Sequence, residues 1–369
     1  MTGGAPQWRG AERILCVRLD NMGDVLMTTP ALRALKGDTP RRELTLLASP
    51  AGAATAPYVP EIDDVIVYDA PWVKQPDAME PDATDELIDE LYARRFDAAV
   101  IFTVYSQSAL PAALTCWLAR IPLRLAYARE NPYALLTDWM PESEPHEVQR
   151  HETRRQLDLV ASIGCVTADE RLSFVPTCTQ YRSAREKLAA RGIANRPYIV
   201  VHPGASAPSR RYPLEHYASA LAAFAGARPH AVVITGSRDE LPLADALASA
   251  LPGRACVLAG TLGLGELGAV IDDADLLISN NTGPAHVAAA VGTPVVDLYA
   301  LTNPQHAPWQ VDSRVLYHDV PCRFCYRSVC PQGHHACLRQ VAPERVVQAA
   351  LELLAPHRDP RPIPEGVPA

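Results

Sequence analysis

The chain has 369 residues, of which 48% are hydrophobic and 21% charged, with a formal net charge of −8. That length predicts two domains, since single domains usually run about 100–200 residues, and the composition is that of a folded protein. The negative balance excludes broad electrostatic binding of nucleic acid, and no apolar run reaches the roughly 20 residues that span a bilayer. The best apolar run, 109–119, is short and contains Pro111. Met1 to Arg13 shows neither an apolar core nor a cleavage pattern, which predicts a cytoplasmic protein.

Arg13 to Leu19 is an apolar run of strand length, followed by the polar turn Asp20-Asn-Met-Gly-Asp24 and a helical pattern from Val25 to Leu35. Leu44 to Ala48, Val65 to Tyr68 and Ala98 to Phe102 are further apolar strand candidates, and 71–85 carries the proline and acidic punctuation of a loop. A helical pattern runs from Glu147 to Ile163 and stops at Gly164, and 167–181 has the weak periodicity of a linker. A second series follows, with strand candidates at Tyr198 to Val201, Ala231 to Thr235, Ala255 to Leu258, Leu276 to Ser279 and Val295 to Tyr299, separated by helical segments. Strand–helix alternation of this kind means parallel sheets wound with helices, and its repetition predicts two Rossmann-like domains facing a central cleft, an α/β architecture. The predicted boundaries are 13–180 and 181–355, with a final amphipathic helix at 342–354 and a Pro-rich disordered tail at 356–369.

Ligands of open α/β sheets collect at the carboxyl ends of the strands, so the turns there hold the candidate site. Asp24 follows the first strand. It is either an N-cap or a carboxylate held ionised at a helix start, available as a base. In the segment 202–213, Gly204, Ala205 and Ser206 are small enough to let backbone N–H groups approach a phosphate, and Arg210 and Arg211 supply positive charge. In Asn280-Asn281-Thr282-Gly283, small polar residues stand between a strand and a helix, where unpaired N–H groups and the helix dipole attract anions. His286 follows Thr282 by one helical turn, so both can face one ligand, although a histidine beside an alanine-rich face is as often a core residue.

Arg120 to Arg129 and Gln149 to Arg155 are basic clusters, read either as solvated helix faces or as a landing site for a phosphorylated or acidic acceptor. Asn21, Arg120, Arg150 and Arg154 are the acceptor-binding candidates. Cys322, Cys325, Cys330 and Cys337, with His334 and His335 between them, include a CxxC half-site and supply enough ligands for a structural zinc ion, but the second half departs from that spacing. Free thiols are the alternative. The Gly263-x-Gly265-x-x-Gly268 match to the dinucleotide fingerprint opens no chain-starting βαβ unit and has no acidic residue at the end of the next strand, which argues against a dehydrogenase.

Three stretches taken together, Arg18 to Leu35, His202-Pro-Gly-Ala-Ser through Tyr212-Pro213, and Asn281-Thr-Gly-Pro-Ala-His286, resemble the signatures of glycosyltransferase family 9, the ADP-heptose:lipopolysaccharide heptosyltransferases. The resemblance implies a GT-B fold with an N-terminal acceptor-binding domain and a C-terminal domain that binds a nucleotide-diphosphate sugar. It also implies inverting transfer to a lipopolysaccharide-core or other cell-surface glycan, peripheral contact with the inner membrane surface, and no required cofactor or catalytic metal. Asp24 matches the family's general base, Arg210 the basic residue that neutralises the diphosphate, Ala205 and Ser206 the small residues at the phosphates, and Thr282, Gly283 and His286 the donor-binding turn. Asn281 departs from the pattern by standing where many members carry aspartate. Two other activities fit the same residues: a nucleotide-sugar epimerase of GT-B-like fold, which needs no acceptor, and a nucleotide-sugar-binding protein without catalysis.

Overall fold

Arg13-Ile-Leu-Cys-Val-Arg18 is buried at every position but the first, the signature of a strand covered on both faces rather than one. Such strands build both halves of the protein. The computed structural model describes residues 5–37, 39, 41–73, 81–194, 196–301 and 305–354. The expected tail at 356–369 and part of the expected loop at 71–85 lie outside the described residues. The chain divides into two units, Met1–Ser173 and Phe174–Ala369.

The first unit contains α1 (Ala5–Arg9), β1 (Arg13–Arg18), α2 (Met22–Lys36), β2 (Glu43–Ala48), α3 (Pro50–Ala53), β3 (Asp64–Val67), α4 (Asp82–Arg94) and β4 (Ala98–Ile101), then α5 (Leu110–Leu118), β5 (Leu123–Ala128), β6 (Asp138–Pro141) and α6 (Glu152–Ala161). Its strands form one parallel sheet in the order β3-β2-β1-β4-β5-β6. The order reverses between β1 and β4, and that switch point opens a crevice at the carboxyl ends of the two strands. One core cluster joins Leu15, Val17 and Ile101 to Leu87, Leu91 and Ala113 of α4 and α5. A smaller one joins Val25 of α2 to Leu46 and Ala48.

The second unit contains α7 (Cys178–Ala190), β7 (Tyr198–His202), α8 (Leu214–Ala227), β8 (Ala231–Ile234), α9 (Leu241–Ser249), β9 (Ala255–Val257), α10 (Leu264–Asp272) and β10 (Leu276–Asn280), then α11 (Gly283–Val291), β11 (Val295–Leu298), β12 (Ser313–Leu316), α12 (Ala336–Arg339) and α13 (Pro343–Leu353). Its sheet, β12-β11-β10-β7-β8-β9, is again parallel throughout, with the switch point between β7 and β10. The expected α/β architecture of two doubly wound sheets is therefore present.

Several local expectations change. The segment 167–181 is not all linker, because α7 begins at Cys178 and packs on α10. The division consequently falls at Ser173/Phe174 rather than after residue 180. The helix expected from Glu147 starts at Glu152. Residues 123–128, inside a presumed basic helix face, form the strand β5; Arg124 is buried there because its guanidinium donates to the carbonyls of Leu135 and Ala134 at 2.7 and 2.9 Å.

The Gly263–Gly268 motif also has a packing role. A Cβ at Gly265 would overlap the Gln180 side chain, and one at Gly268 would overlap the Phe174 ring, so these glycines let α10 approach α7 and the start of the second unit. Gly268→Val is expected to destabilise by about 1–3 kcal/mol through overpacking against the buried Phe174. Hydrogen exchange by mass spectrometry would show faster exchange in peptides from 174–354 and unchanged protection in the first unit. Unchanged exchange in both units would contradict the packing role.

Candidate active site

In the first unit the site grows from Arg18, the last residue of β1, whose side chain is 0% exposed. A buried guanidinium needs anionic partners, and it has three. Its Nε lies 3.0 Å from Asp20 Oδ2, its Nη2 3.3 Å from Asp24 Oδ1, and its Nη1 2.8 Å from Glu152 Oε1. Burial disfavours the charge on Arg18, but the three carboxylates outweigh it and hold the group protonated. One guanidinium does not balance three carboxylates, and Asp20 shows the consequence. Burial pushes its carboxyl up to about 6, against the pull of Arg18.

Asp24 is not the N-cap. Asn21 holds that position and Asp24 is the third residue of α2, where its Oδ2 accepts the Asn21 backbone N–H at 3.1 Å. The helix start and Arg18 thus fix one carboxylate at the carboxyl edge of β1, with its side chain 17% exposed. Asp24 is the N3 member of the capping box whose N-cap is Asn21.

The acceptor candidates are dispersed. Arg120 follows α5 and precedes β5, which puts it at the amino edge of the sheet, opposite Asp24, with its guanidinium 5.4 Å from the Tyr92 ring centre. Arg150 is paired with Glu144 at 2.6 Å and Asp158 at 2.9 Å, and Arg154 is paired with Glu170. Arg150 and Arg154 of the second cluster thus have carboxylate partners in the fold. Asn21 is exposed beside Asp24.

In the second unit β7 and β10 end together, and Asn280 ties their turns to one another. Its Nδ2 donates to Pro203 O at 2.7 Å and Gly204 O at 3.3 Å, while its Oδ1 accepts from Tyr212 N at 3.0 Å and Tyr217 Oη at 3.2 Å. Four bonds saturate the amide. Gly204 lies close against the Glu240 carboxylate, which a Cβ there would displace. Thr282 caps α11 in an extended conformation and Gly283 and Pro284 open the helix; Pro284 has no N–H and that of Ala285 bonds Thr282 O at 3.0 Å, so the Gly283 N–H is the first-turn donor at the sheet edge.

The donor-site candidates divide by exposure. Ser206 is exposed and Arg210, Thr282 and Gly283 are half-buried, so these can touch a ligand; Gly204, Ala205, Asn281 and His286 are buried and shape the site from behind. The Nε of Arg210 is buried without a hydrogen-bond partner. Asn281 donates through Nδ2 to Asp297 Oδ2 and to His306 O, both at 2.9 Å.

A helix N-terminus and an arginine beside a glycine-bearing turn are an arrangement that many nucleotide-binding proteins share; the sequence comparisons decide among them. The family description "Glycosyltransferase family 9 (heptosyltransferase)" matches residues 85–336, more than half of the chain. The chain belongs to glycosyltransferase family 9. Lipooligosaccharide heptosyltransferase 2 of Haemophilus influenzae is 28% identical over 273 residues, covering 71% of this chain and 77% of that protein. Lipopolysaccharide heptosyltransferase 2 of Escherichia coli K12 is 26% identical over 367 residues, covering 93% and 98%. Among solved structures, a family 9 glycosyltransferase from Veillonella parvula superposes with a TM-score of 0.76 at 22% identity, covering 93% of this chain and 97% of that one. The E. coli ADP-heptose LPS heptosyltransferase II superposes at 0.72 and 23%, covering 93% and 98%. The fold is GT-B.

Three residues that organise these strand ends in this family 9 glycosyltransferase were not singled out as site candidates in the sequence reading: Arg18, Asn280 and Asp297. Arg18 and Asn280 lie inside the quoted motifs, but their roles depend on partners distant in the chain. Asp297 changes the meaning of Asn281. Asn281 is in contact with the Asp297 carboxylate, which is fully buried near the end of β11.

The four clustered cysteines line one small pocket with His334 and His335, and Cys322 Sγ lies 3.8 Å from His334 Nε2. Burial pushes Cys337 up to about 11, whereas at Cys330 a smaller burial effect is overcome by the backbone N–H groups of His335, Gln332, Gly333 and His334, which hold the thiol below its usual value. Among the described residues, however, no group of three or more His, Cys, Asp or Glu side chains is placed to hold a metal ion. Of the two readings of the cluster, structural zinc or free thiols, the described cysteines are free thiols that share this pocket.

Burial pushes the Asp297 carboxyl up to about 7, with the Asn281 hydrogen bond and Arg210 pulling it down. A raised carboxyl pKa means that the folded state holds a proton that the unfolded chain, with a pKa near 3.9, has lost. Stability is therefore highest below about pH 4 for this group and falls by about 4 kcal/mol as pH rises to about 7. Asp297→Asn keeps the shape and an acceptor for Asn281. Urea unfolding should find the variant close to wild type at pH 4 and more stable at pH 8. Parallel stability curves across that range would contradict the burial argument.

Proposed function

We propose that this family 9 enzyme transfers heptose, or a closely similar sugar, from its ADP-sugar to a glycan of the lipopolysaccharide-core type, with inversion at the anomeric carbon. The observation that supports the reading is the edge of the second unit where the Gly283 N–H at the start of α11 and the half-buried Arg210 stand beside the turn stitched by Asn280. These groups suit a departing diphosphate, whose negative charge grows in the transition state. They supply the positive field that a divalent cation supplies in other transferases, so the reaction as proposed has no metal step. The heptosyltransferase names of the relatives support the sugar and the acceptor class.

In this reading the first unit binds the acceptor and the second the donor. Asp24 takes the proton from an acceptor hydroxyl, and the oxygen attacks the anomeric carbon from the face opposite the diphosphate. The bond from that carbon to the diphosphate oxygen breaks, and ADP leaves with the electron pair. Arg18 orients Asp24 through Nη2. A glycolipid acceptor would bring the enzyme to the inner membrane surface as a peripheral protein; among the described residues no helix is long and apolar enough to cross a membrane.

Calorimetric titration with ADP, UDP, GDP, CDP and dTDP tests the donor, and ADP is expected to bind alone. At about 100 times its dissociation constant it should add about 2.7 kcal/mol of stability. Arg210→Ala should weaken ADP binding. Asp24→Asn should retain it while transfer from ADP-heptose falls by about 10²–10⁴-fold. Binding of a different nucleotide would overturn the donor, and equal transfer rates for wild type and Asp24→Asn would overturn the base.

A further inference from the structure

The first unit has a cavity of about 250 Å³ at its switch point, outside the carboxyl ends of β1 and β4, where open α/β sheets bind ligands. Val17, Leu19, Ile101 and Phe102 form an apolar floor, Trp72 one wall, and Asp20, Ser106 and Gln107 polar groups around them. The floor is buried and Ser106 is exposed, so the polarity rises toward the mouth. Among the described lining residues none is Lys or Arg, and Asp20 is the one charged group. Its volume is below the range of roughly 300–1,000 Å³ that holds drug-sized ligands, which leaves room for one ring rather than a nucleotide.

We infer that this cavity is the subsite for a single uncharged sugar ring of the acceptor, with Trp72 against the ring's C–H face and Asp20, Gln107 and Ser106 on its hydroxyls. An aromatic wall joined to a few convergent hydrogen-bonding groups is the chemistry that a pyranose requires, since the ring carries apolar C–H faces and a polar equator. The polar groups are fixed before the sugar arrives. Gln107 Nε2 donates to Asp20 Oδ1 at 2.5 Å, and Asp20 Oδ2 is held by Arg18 Nε at 3.0 Å. Trp72 is braced by Tyr68, whose ring centre lies 5.8 Å away. The same Arg18 holds Asp24 through Nη2 at 3.3 Å, so a ring seated here lies one guanidinium away from the carboxylate assigned as base. This placement rests on the reading of the first unit as the acceptor side.

The test uses saturation-transfer NMR on the full chain with methyl α-D-mannopyranoside, methyl L-glycero-α-D-manno-heptopyranoside and methyl β-D-glucopyranoside, with adenosine as the aromatic competitor. Wild type is expected to transfer saturation to the ring C–H protons of at least one glycoside. Trp72→Ala and Gln107→Ala should weaken that binding at least tenfold, and Trp72→Phe, which keeps an aromatic wall, should restore most of it. Hydrogen exchange across residues 13–173 serves as the folding control for each variant. Calorimetry with ADP runs in parallel, and unchanged ADP affinity is expected in all three variants. Glycoside binding that is unchanged in Trp72→Ala and Gln107→Ala overturns the subsite, as does no glycoside binding to wild type or adenosine binding lost with Trp72. Those results leave the donor assignment standing when ADP still binds, whereas loss of ADP binding by wild type defeats the donor assignment without touching the cavity.

Discussion

Arg18 ends the central strand of the first unit in complete burial, and its three carboxylates come from three places in the chain: the turn after β1, the start of α2 and the start of α6. Removing one partner from a buried charge cluster typically costs 3–5 kcal/mol, because the remaining charges lose their compensation. The cluster therefore fixes the geometry of the switch-point edge as firmly as an apolar core would. It does so with groups that also carry protons. Two carboxylates on one guanidinium, Asp20 raised to about 6 and Asp24 bound to a helix start, give that edge a division between a carboxyl that titrates and a carboxylate that is oriented.

The second unit solves the same topological problem with opposite electrostatics. At its switch point stands Asn280, a neutral amide with all its bonds satisfied by the two turns it joins. Around it are an N-terminal helix turn and an arginine, and the buried Asp297 sits behind Asn281. A neutral stitch leaves the local field to the helix N–H groups and Arg210, which suits an anionic ligand; an ion cluster in the first unit suits proton transfer. Two sheets of equal strand number and equivalent order have thus acquired distinct chemistry through the residues that end their central strands.

Much of this was legible in the sequence where consecutive apolar residues marked strands and polar turns marked their ends. The strand β5 was not, because Arg124 interrupts its pattern and is buried among the carbonyls of Ile121, Pro122, Ala134 and Leu135. The turns carrying Asp24 and Thr282 were recognisable as strand–helix junctions, but the partners of Arg150 and Arg154 depend on Glu144, Asp158 and Glu170 folding onto them. A basic cluster looks the same in sequence whether it waits for an acceptor or is already paired. The adjacent asparagines illustrate the same limit: Asn280 joins two turns and Asn281 contacts Asp297, a difference that arises from the register of β10 and not from residue type.

The central claim is that one oriented carboxylate, Asp24, activates an acceptor hydroxyl for a single direct displacement on the donor. The configuration of the new bond tests it most directly. Anomeric proton NMR of the first product formed from an ADP-sugar of known anomer should show the opposite configuration throughout. A product that retains the donor's configuration would require two displacements or a different trajectory, and would contradict the account.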